Sequence, residues 1–186
     1  MILLLLASCE QPESAPTAPT EVTNTEGLPT IYRDTLMYVF GAAKDYTTGD
    51  TLRDYMVVAW DVNDKAHGID GKTTRDGRYD LILNKPGYYA IEYAAKGYAP
   101  KVVEIDMRIA DSLLWDGGYG MNVNTTLVPL LEGLDAASLP TVVGRAHYDS
   151  TAENFAWDLD YTEMARARQD AVLKAYEKRK RPTQSR

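Results

Sequence analysis

The chain has 186 residues, 25% of them charged, and a formal net charge of −7. That balance argues against nucleic acid or anionic lipid as a main partner, and the length suits one domain with an appendage. The only cysteine, Cys9, excludes an intramolecular disulfide.

The chain opens on the apolar run Met1 to Leu6, followed by Leu6-Ala7-Ser8-Cys9. The run is too short to span a bilayer, which needs about 20 residues. No basic n-region precedes it, so a complete signal peptide would begin upstream. The pattern resembles the lipobox of bacterial lipoproteins, in which the cysteine receives lipid and becomes the first mature residue. The resemblance implies a signal peptide over residues 1–8 and lipid attachment at Cys9. The competing reading of Cys9 is a small buried thiol. Residues 9–33 are rich in Pro, Thr, Ser and Glu and cannot bury enough surface to offset their ordering entropy. They read as a disordered tether whose average reach is roughly 25–30 Å. Glu10 and Glu13 loosely resemble the acidic signals behind the cysteine of surface-exported lipoproteins.

From Thr35 to Leu131 the hydrophobic period is two. Tyr79-Leu81-Leu83, Tyr89-Ile91-Tyr93-Ala95, Val103-Ile105-Met107 and Met121-Val123-Thr125-Leu127 each alternate with polar neighbours, the mark of half-buried antiparallel strands. Thr48-Gly49-Asp50, Asp76-Gly77, Lys85-Pro86-Gly87 and Lys96-Gly97 supply the turns. Short strands at this spacing predict a sandwich or barrel. Gly77 and Gly87 are the turn positions expected to take positive φ.

Val39-Phe40-Gly41, Thr48-Gly49-Asp50-Thr51-Leu52, Thr74-Arg75-Asp76-Gly77-Arg78-Tyr79, Pro86-Gly87-Tyr88-Tyr89 and Ala95-Lys96-Gly97-Tyr98 follow one another in order. Together they resemble a carboxypeptidase-regulatory-like domain, over about Leu36 to Ile109. The resemblance implies an antiparallel transthyretin-like or Ig-like β-sandwich over residues 34–132. It also implies an accessory domain that is not itself an enzyme. One departure is Ala42-Ala43-Lys44 after Gly41, where the family continues a valine-rich strand. Transthyretin-like hydrolases use several histidines and a C-terminal Tyr-Arg-Gly-Ser, whereas this chain has only His67 and His147 and ends Thr-Gln-Ser-Arg.

Residues 133–186 are expected to form a hairpin and one α-helix. Val142 to Tyr148 and Asn154 to Asp158 flank the turn Asp149-Ser150-Thr151. Asp160, with Glu163 three residues on, gives a capping-box pattern. Tyr161, Met164, Ala165, Ala171, Val172, Ala175 and Tyr176 are expected on one face, and Asp170/Lys174 and Glu177/Arg181 have i,i+4 spacing. The helix is expected to pack back on the sandwich; presentation to a partner is the other reading. Six cations against Glu177 alone, from Lys174 to Arg186, match the negative end of the helix dipole.

Several patterns point to chemistry and are outweighed. Residues 66–73 fit the loosest nucleotide-binding P-loop, but that motif needs a helix after its lysine, and here a turn follows. Asp61, Asn63, Asp64 and Asp70 offer oxygen ligands for calcium, yet the EF-hand spacing fails and no closing glutamate is present. No nucleophile sits in a hydrolase context and no zinc-peptidase motif occurs. Asp158 and Asp160 read as a helix start rather than a glycosidase pair. Asp34-Thr35-Leu36, Asp50-Thr51-Leu52, Asp111-Ser112-Leu113 and Asp149-Ser150-Thr151 resemble an O-glycosylation site of exported Gram-negative proteins. Tyrosine dominates the aromatics, 13 against 3 Trp and 2 Phe. Trp115, Tyr119, Tyr88 and Tyr98 fall at loops or strand ends, where they could stack on sugar or simply close the sandwich.

These readings converge on an outer-membrane lipoprotein of a Gram-negative bacterium, periplasmic or surface-facing, needing no cofactor. The expected role is an adaptor or structural component, without enzymatic activity, that binds another envelope protein. The alternative is a surface glycan-binding lipoprotein that uses the loop aromatics.

Overall fold

The computed structural model describes residues 36–109 and 118–180. Cys9, the tether and Trp115 lie outside them, as do Asp34, Thr35 and the Asp111-Ser112-Leu113 pattern.

Twelve strands form two six-stranded sheets. The first holds β1 (Met37–Asp45), β4 (Lys72–Thr73), β5 (Arg78–Leu83), β7 (Tyr98–Ala99), β9 (Tyr119–Asn122) and β10 (Thr125–Pro129). The second holds β2 (Tyr55–Asp61), β3 (Asp64–Asp70), β6 (Tyr88–Ala95), β8 (Lys101–Asp106), β11 (Val142–Asp149) and β12 (Asn154–Trp157). The alternation read from the sequence decides which side chains lie between them. Met37, Val39, Leu81, Leu83 and Leu127 from the first sheet share one core with Val57, Ile91, Val103 and Ile105 from the second. Each of these is 3% exposed or less, and burial of such a side chain stabilises by about 1.5–3 kcal/mol.

The sandwich is mixed, not purely antiparallel. β1 pairs in parallel with β9 and then with β10, and β11 pairs in parallel with β8. After β8 the chain crosses to the first sheet, forms β9 and β10, and returns beside β8 in the same direction. The hairpin β11–β12 therefore extends the second sheet, and its Ala146 and Phe155 belong to the common core.

β9 and β10 keep one register along β1, Met37 opposite Tyr119 and Ala43 opposite Thr125. Between them the ladder changes partners. Val123 N–H donates to Phe40 O at 2.8 Å, while Ala42 N–H donates to the Asn124 side-chain Oδ1 at 3.0 Å. The backbones approach so closely that a Cβ on Gly41 would lie 2.2 Å from Val123 O, which explains the glycine there. Gly77 takes the expected positive φ, at 81°. Gly87 does not: its place is fixed by close approach, since a Cβ would meet Asp61 Oδ2 at 2.5 Å.

β3 carries Asp64 and Asp70, two of the oxygen ligands weighed for calcium. Residues 64–70 form an exposed edge strand, and charged side chains on an edge oppose pairing with another chain. With β4 following, the stretch 66–73 is strand apart from Gly71, and no helix succeeds Lys72.

The one α-helix among the described residues, α1 (Leu159–Lys180), starts earlier than Asp160. Asp158 Oδ1 accepts the Tyr161 N–H at 2.9 Å and is the cap. Its packed face is also rotated from the expected one. Ala165, Gln169 and Tyr176 are buried, whereas Met164, Ala171 and Ala175 are exposed. Gln169 is buried because it accepts a hydrogen bond from Lys101 Nζ of β8 at 2.6 Å. The helix does pack back on the sandwich, with Tyr161 Oη donating to Val142 O of β11 at 3.4 Å. Asp170 and Lys174 form no ion pair, as is common for exposed pairs that must surrender side-chain entropy. Lys178, Arg179 and Lys180 occupy its last turn, where the dipole favours cations. Among the described residues no helix is long and apolar enough to cross a membrane.

Candidate functional site

The strand that buries Met37 and Val39 necessarily turns Tyr38 and Phe40 to the opposite face. There the two rings stack on each other, centroids 5.4 Å apart and planes inclined by 22°. Phe40 is 36% exposed. On this outer face of the first sheet, register places Lys72, Asp80, Phe40 and Asn122 in one row across four strands. Gly120 stands opposite Tyr38, and the space where its side chain would be is open. The result is a groove of about 730 Å³ with Tyr38 and Phe40 as its aromatic floor and Lys44, Asp76, Arg78, Asp80, Asn122 and Asn124 among its polar lining.

The polar groups are held in place. Asn124 accepts the Ala42 N–H through Oδ1, which fixes its amide orientation, and donates from Nδ2 to Asn122 Oδ1 at 2.7 Å. One Asn124 N–H and the Asn122 amide group are left for a ligand. Asp76 accepts the Thr74 hydroxyl, and this hydrogen bond holds its carboxyl below the usual range; Arg78 Nε lies 3.4 Å from the same carboxylate. Aromatic faces carry partial negative charge and suit a ligand that presents C–H bonds on one side. The surrounding amides, carboxylates and cations suit one that presents hydroxyls at its rim.

The aromatics singled out by sequence do not assemble a site. Tyr119 is buried, its ring 5.1 Å from Phe155 and 5.9 Å from Tyr148 in edge-on contacts that close the sandwich. Tyr88 donates to Glu104 Oε2 at 2.7 Å, with the Arg108 guanidinium 5.2 Å from its ring centre. Tyr98 donates to Asp45 Oδ2 at 2.7 Å, and Asp45 Oδ1 also accepts the Thr47 and Thr48 N–H groups of the turn. Tyr88 and Tyr98 flank opposite ends of β6, roughly 25 Å of extended strand apart.

Nor do the oxygen ligands proposed for calcium converge. Asp64 and Asp70 occupy opposite ends of β3, about 20 Å apart along an extended chain. Asp61 Oδ1 accepts the Asn63 N–H of its own turn, and the Asp64 carboxylate lies 3.1 Å from His67 Nδ1. Among the described residues no three His, Cys, Asp or Glu side chains cluster as metal ligands. His67 on β3 and His147 on β11 are four strand positions apart in the second sheet, or about 19 Å.

Sequence reasoning missed Tyr38 and Phe40 because it read no alternation in β1, and it passed over the two asparagines as the polar positions opposite Met121 and Val123. The available signal was Met37-Tyr38-Val39-Phe40 itself, a strand with large apolar groups on both faces.

No family model matches the chain, and no curated protein matches it. Solved structures do. One is a chlorocatechol 1,2-dioxygenase from Pseudomonas putida, 11% identical, with a TM-score of 0.38 over 50% of this chain and 59% of that one. A second, from Bacteroides fragilis, is provisionally described as membrane-associated and of unknown function, at 25% identity and a TM-score of 0.35. It shares 50% of this chain and 28% of its own. A third, from Bacteroides uniformis, is provisionally assigned to carbohydrate binding, at 12% identity and a TM-score of 0.34 over 51% and 42%. The chain thus spans less than two thirds of each of these proteins. The expectation of a chain without enzymatic activity does not stand, because catechol 1,2-dioxygenases are among the structures that share about half of it. Their likeness is confined to the fold, at 11–13% identity.

Proposed function

We propose that the chain is a glycan-binding envelope module, held at a membrane by lipid on Cys9 and reaching its ligand through the outer face of the first sheet. The stacked, outward-facing Tyr38–Phe40 pair inside a polar groove carries this reading. Such a pair stacks on the C–H face of a sugar ring, while Asn122, Asn124 and Asp80 bond its hydroxyls. The carboxypeptidase-regulatory-like resemblance and the lipobox-like Leu6-Ala7-Ser8-Cys9 support an exported accessory domain. The Bacteroides uniformis neighbour is named for the same kind of ligand.

A glycan array probed with the wild-type domain and with Tyr38→Ala tests the binding reading. Retention of defined oligosaccharides by the wild type, lost in the variant, supports it; silence across the array defeats it. Labelled fatty acid incorporated into the wild type, and not into Cys9→Ser, tests the anchor.

A protein-binding adaptor is the second reading. It is favoured by a cavity of about 950 Å³ beside α1, where Pro129, Leu131 and Leu173 present apolar surface. Tyr46 and Leu131 there are 41% and 40% exposed. Crosslinking from solubilised envelope would then capture one discrete protein, and Leu131→Asp would release it.

A further inference from the structure

Beside the N-terminal half of α1 lies a smaller, open-mouthed cavity of about 250 Å³, lined from β8, β10, β11 and the helix. Its chemistry departs from that of three larger cavities. Each of those has a carboxylate in its wall: Asp170 and Glu177, Asp76 and Asp80, or Asp54. This one has two cations, Lys101 and Arg166, with Gln169, Asn124 and three threonine hydroxyls around them, and no carboxylate. In a chain with a formal charge of −7, a wall of this composition selects for anions.

Lys101 opens β8 on the core-facing side shared with Val103 and Ile105, and it is 6% exposed. Its ammonium has three N–H donors, and one reaches Gln169 Oε1 at 2.6 Å. Gln169 is itself 6% exposed. The ion pairs among the described residues are His67–Asp64, Arg78–Asp76, Arg108–Asp106 and Arg145–Glu104, so no carboxylate neutralises Lys101. A buried cation without a counter-charge is costly, and burial lowers the Lys101 pKa to about 8, which leaves it charged at neutral pH. Arg166 lies three residues before Gln169 on the same helix and is exposed at the mouth.

We propose that this cavity is an oxyanion site, in which Lys101 and Arg166 meet the negative oxygens and Gln169 holds the lysine in position. Its ligand is a small anion with two to four oxygens on one centre, either the carboxylate of an acidic sugar or free phosphate. Asn124 lines both this cavity and the aromatic groove, which puts an acidic sugar within reach of both. The oxyanion site does not depend on the glycan reading.

Calorimetric titration of the full chain at pH 7 and constant ionic strength, with phosphate and separately with glucuronate, tests it. We expect saturable binding of one or both by the wild type, weakened at least tenfold in Arg166→Ala and absent in Lys101→Met. Wild-type affinity should also fall as pH rises through 8. Binding of phosphate alone identifies the free anion as ligand, and binding of glucuronate alone identifies the acidic sugar. Because Arg166 is exposed, its variant keeps the fold even if Lys101→Met does not. No saturable binding of either anion, or equal binding by wild type and Arg166→Ala, overturns the proposal.

Discussion

Tyr79 Oη on β5 and Tyr93 Oη on β6 lie 2.6 Å apart in the buried interior, joining the two sheets. Tyr79 also donates to Val123 O at 3.0 Å, so the proton in the Tyr79–Tyr93 bond comes from Tyr93. The chain of bonds ends on the carbonyl at the break between β9 and β10, where Gly41 makes its close approach. Tyr79→Phe leaves both the Tyr93 hydroxyl and the Val123 carbonyl short of a partner. It should destabilise the fold by about 1–3 kcal/mol, measured as a lower urea midpoint at unchanged slope. An unchanged midpoint would show that these groups find other partners.

Lys101 gives stability an unusual pH dependence. Its pKa is lowered by burial from 10.5 to about 8 in the folded chain. Between those values the unfolded chain holds more protons, so stability rises with pH, by about 3 kcal/mol at most. Tyrosines act in the opposite sense. Burial raises Tyr79 and Tyr93, and burial with the Glu104 hydrogen bond pushes Tyr88 up to about 12. Stability is therefore lost above pH 10, where unfolded tyrosines ionise first. Urea midpoints should climb from pH 8 towards 10 and then fall, and Lys101→Met should abolish the climb alone. A steady decline from pH 8 in both proteins would contradict this.

Gly120 offers a way to close the groove without disturbing the core. Its side-chain position is open space and it sits opposite Tyr38. Gly120→Leu should leave the melting temperature within about 2 °C of wild type and lower glycan affinity at least tenfold. Full affinity in a folded Gly120→Leu protein would move the ligand away from this face.

Much of the sandwich is written in the period-two pattern, and for a physical reason. Alternation decides which side chains face the core, and Leu81, Leu83, Ile91, Val103 and Ile105 all do. It does not decide which strand lies beside which. The parallel pairs β1–β9 and β8–β11 depend on crossovers between sheets, and no local residue pattern encodes those. β3 was hidden because all its residues but Ile69 are exposed, which leaves no alternation to read. The helix was legible, but its phase was not: Gln169 faces inward only because Lys101, 68 residues away in sequence, donates to it. The groove escaped for a related reason. A strand's second face looks like solvent until Asp80, Asn122 and Gly120 are known to flank Phe40 and Tyr38.

The most direct measurement is calorimetric titration of an array-positive oligosaccharide into wild type, Phe40→Ala and, as a control away from the groove, Tyr98→Phe. Loss of a central stacking ring costs about 1–2 kcal/mol or more, so Phe40→Ala should bind at least tenfold more weakly while Tyr98→Phe binds as wild type does. Equal affinities for wild type and a folded Phe40→Ala would contradict a glycan site on the outer face of the first sheet.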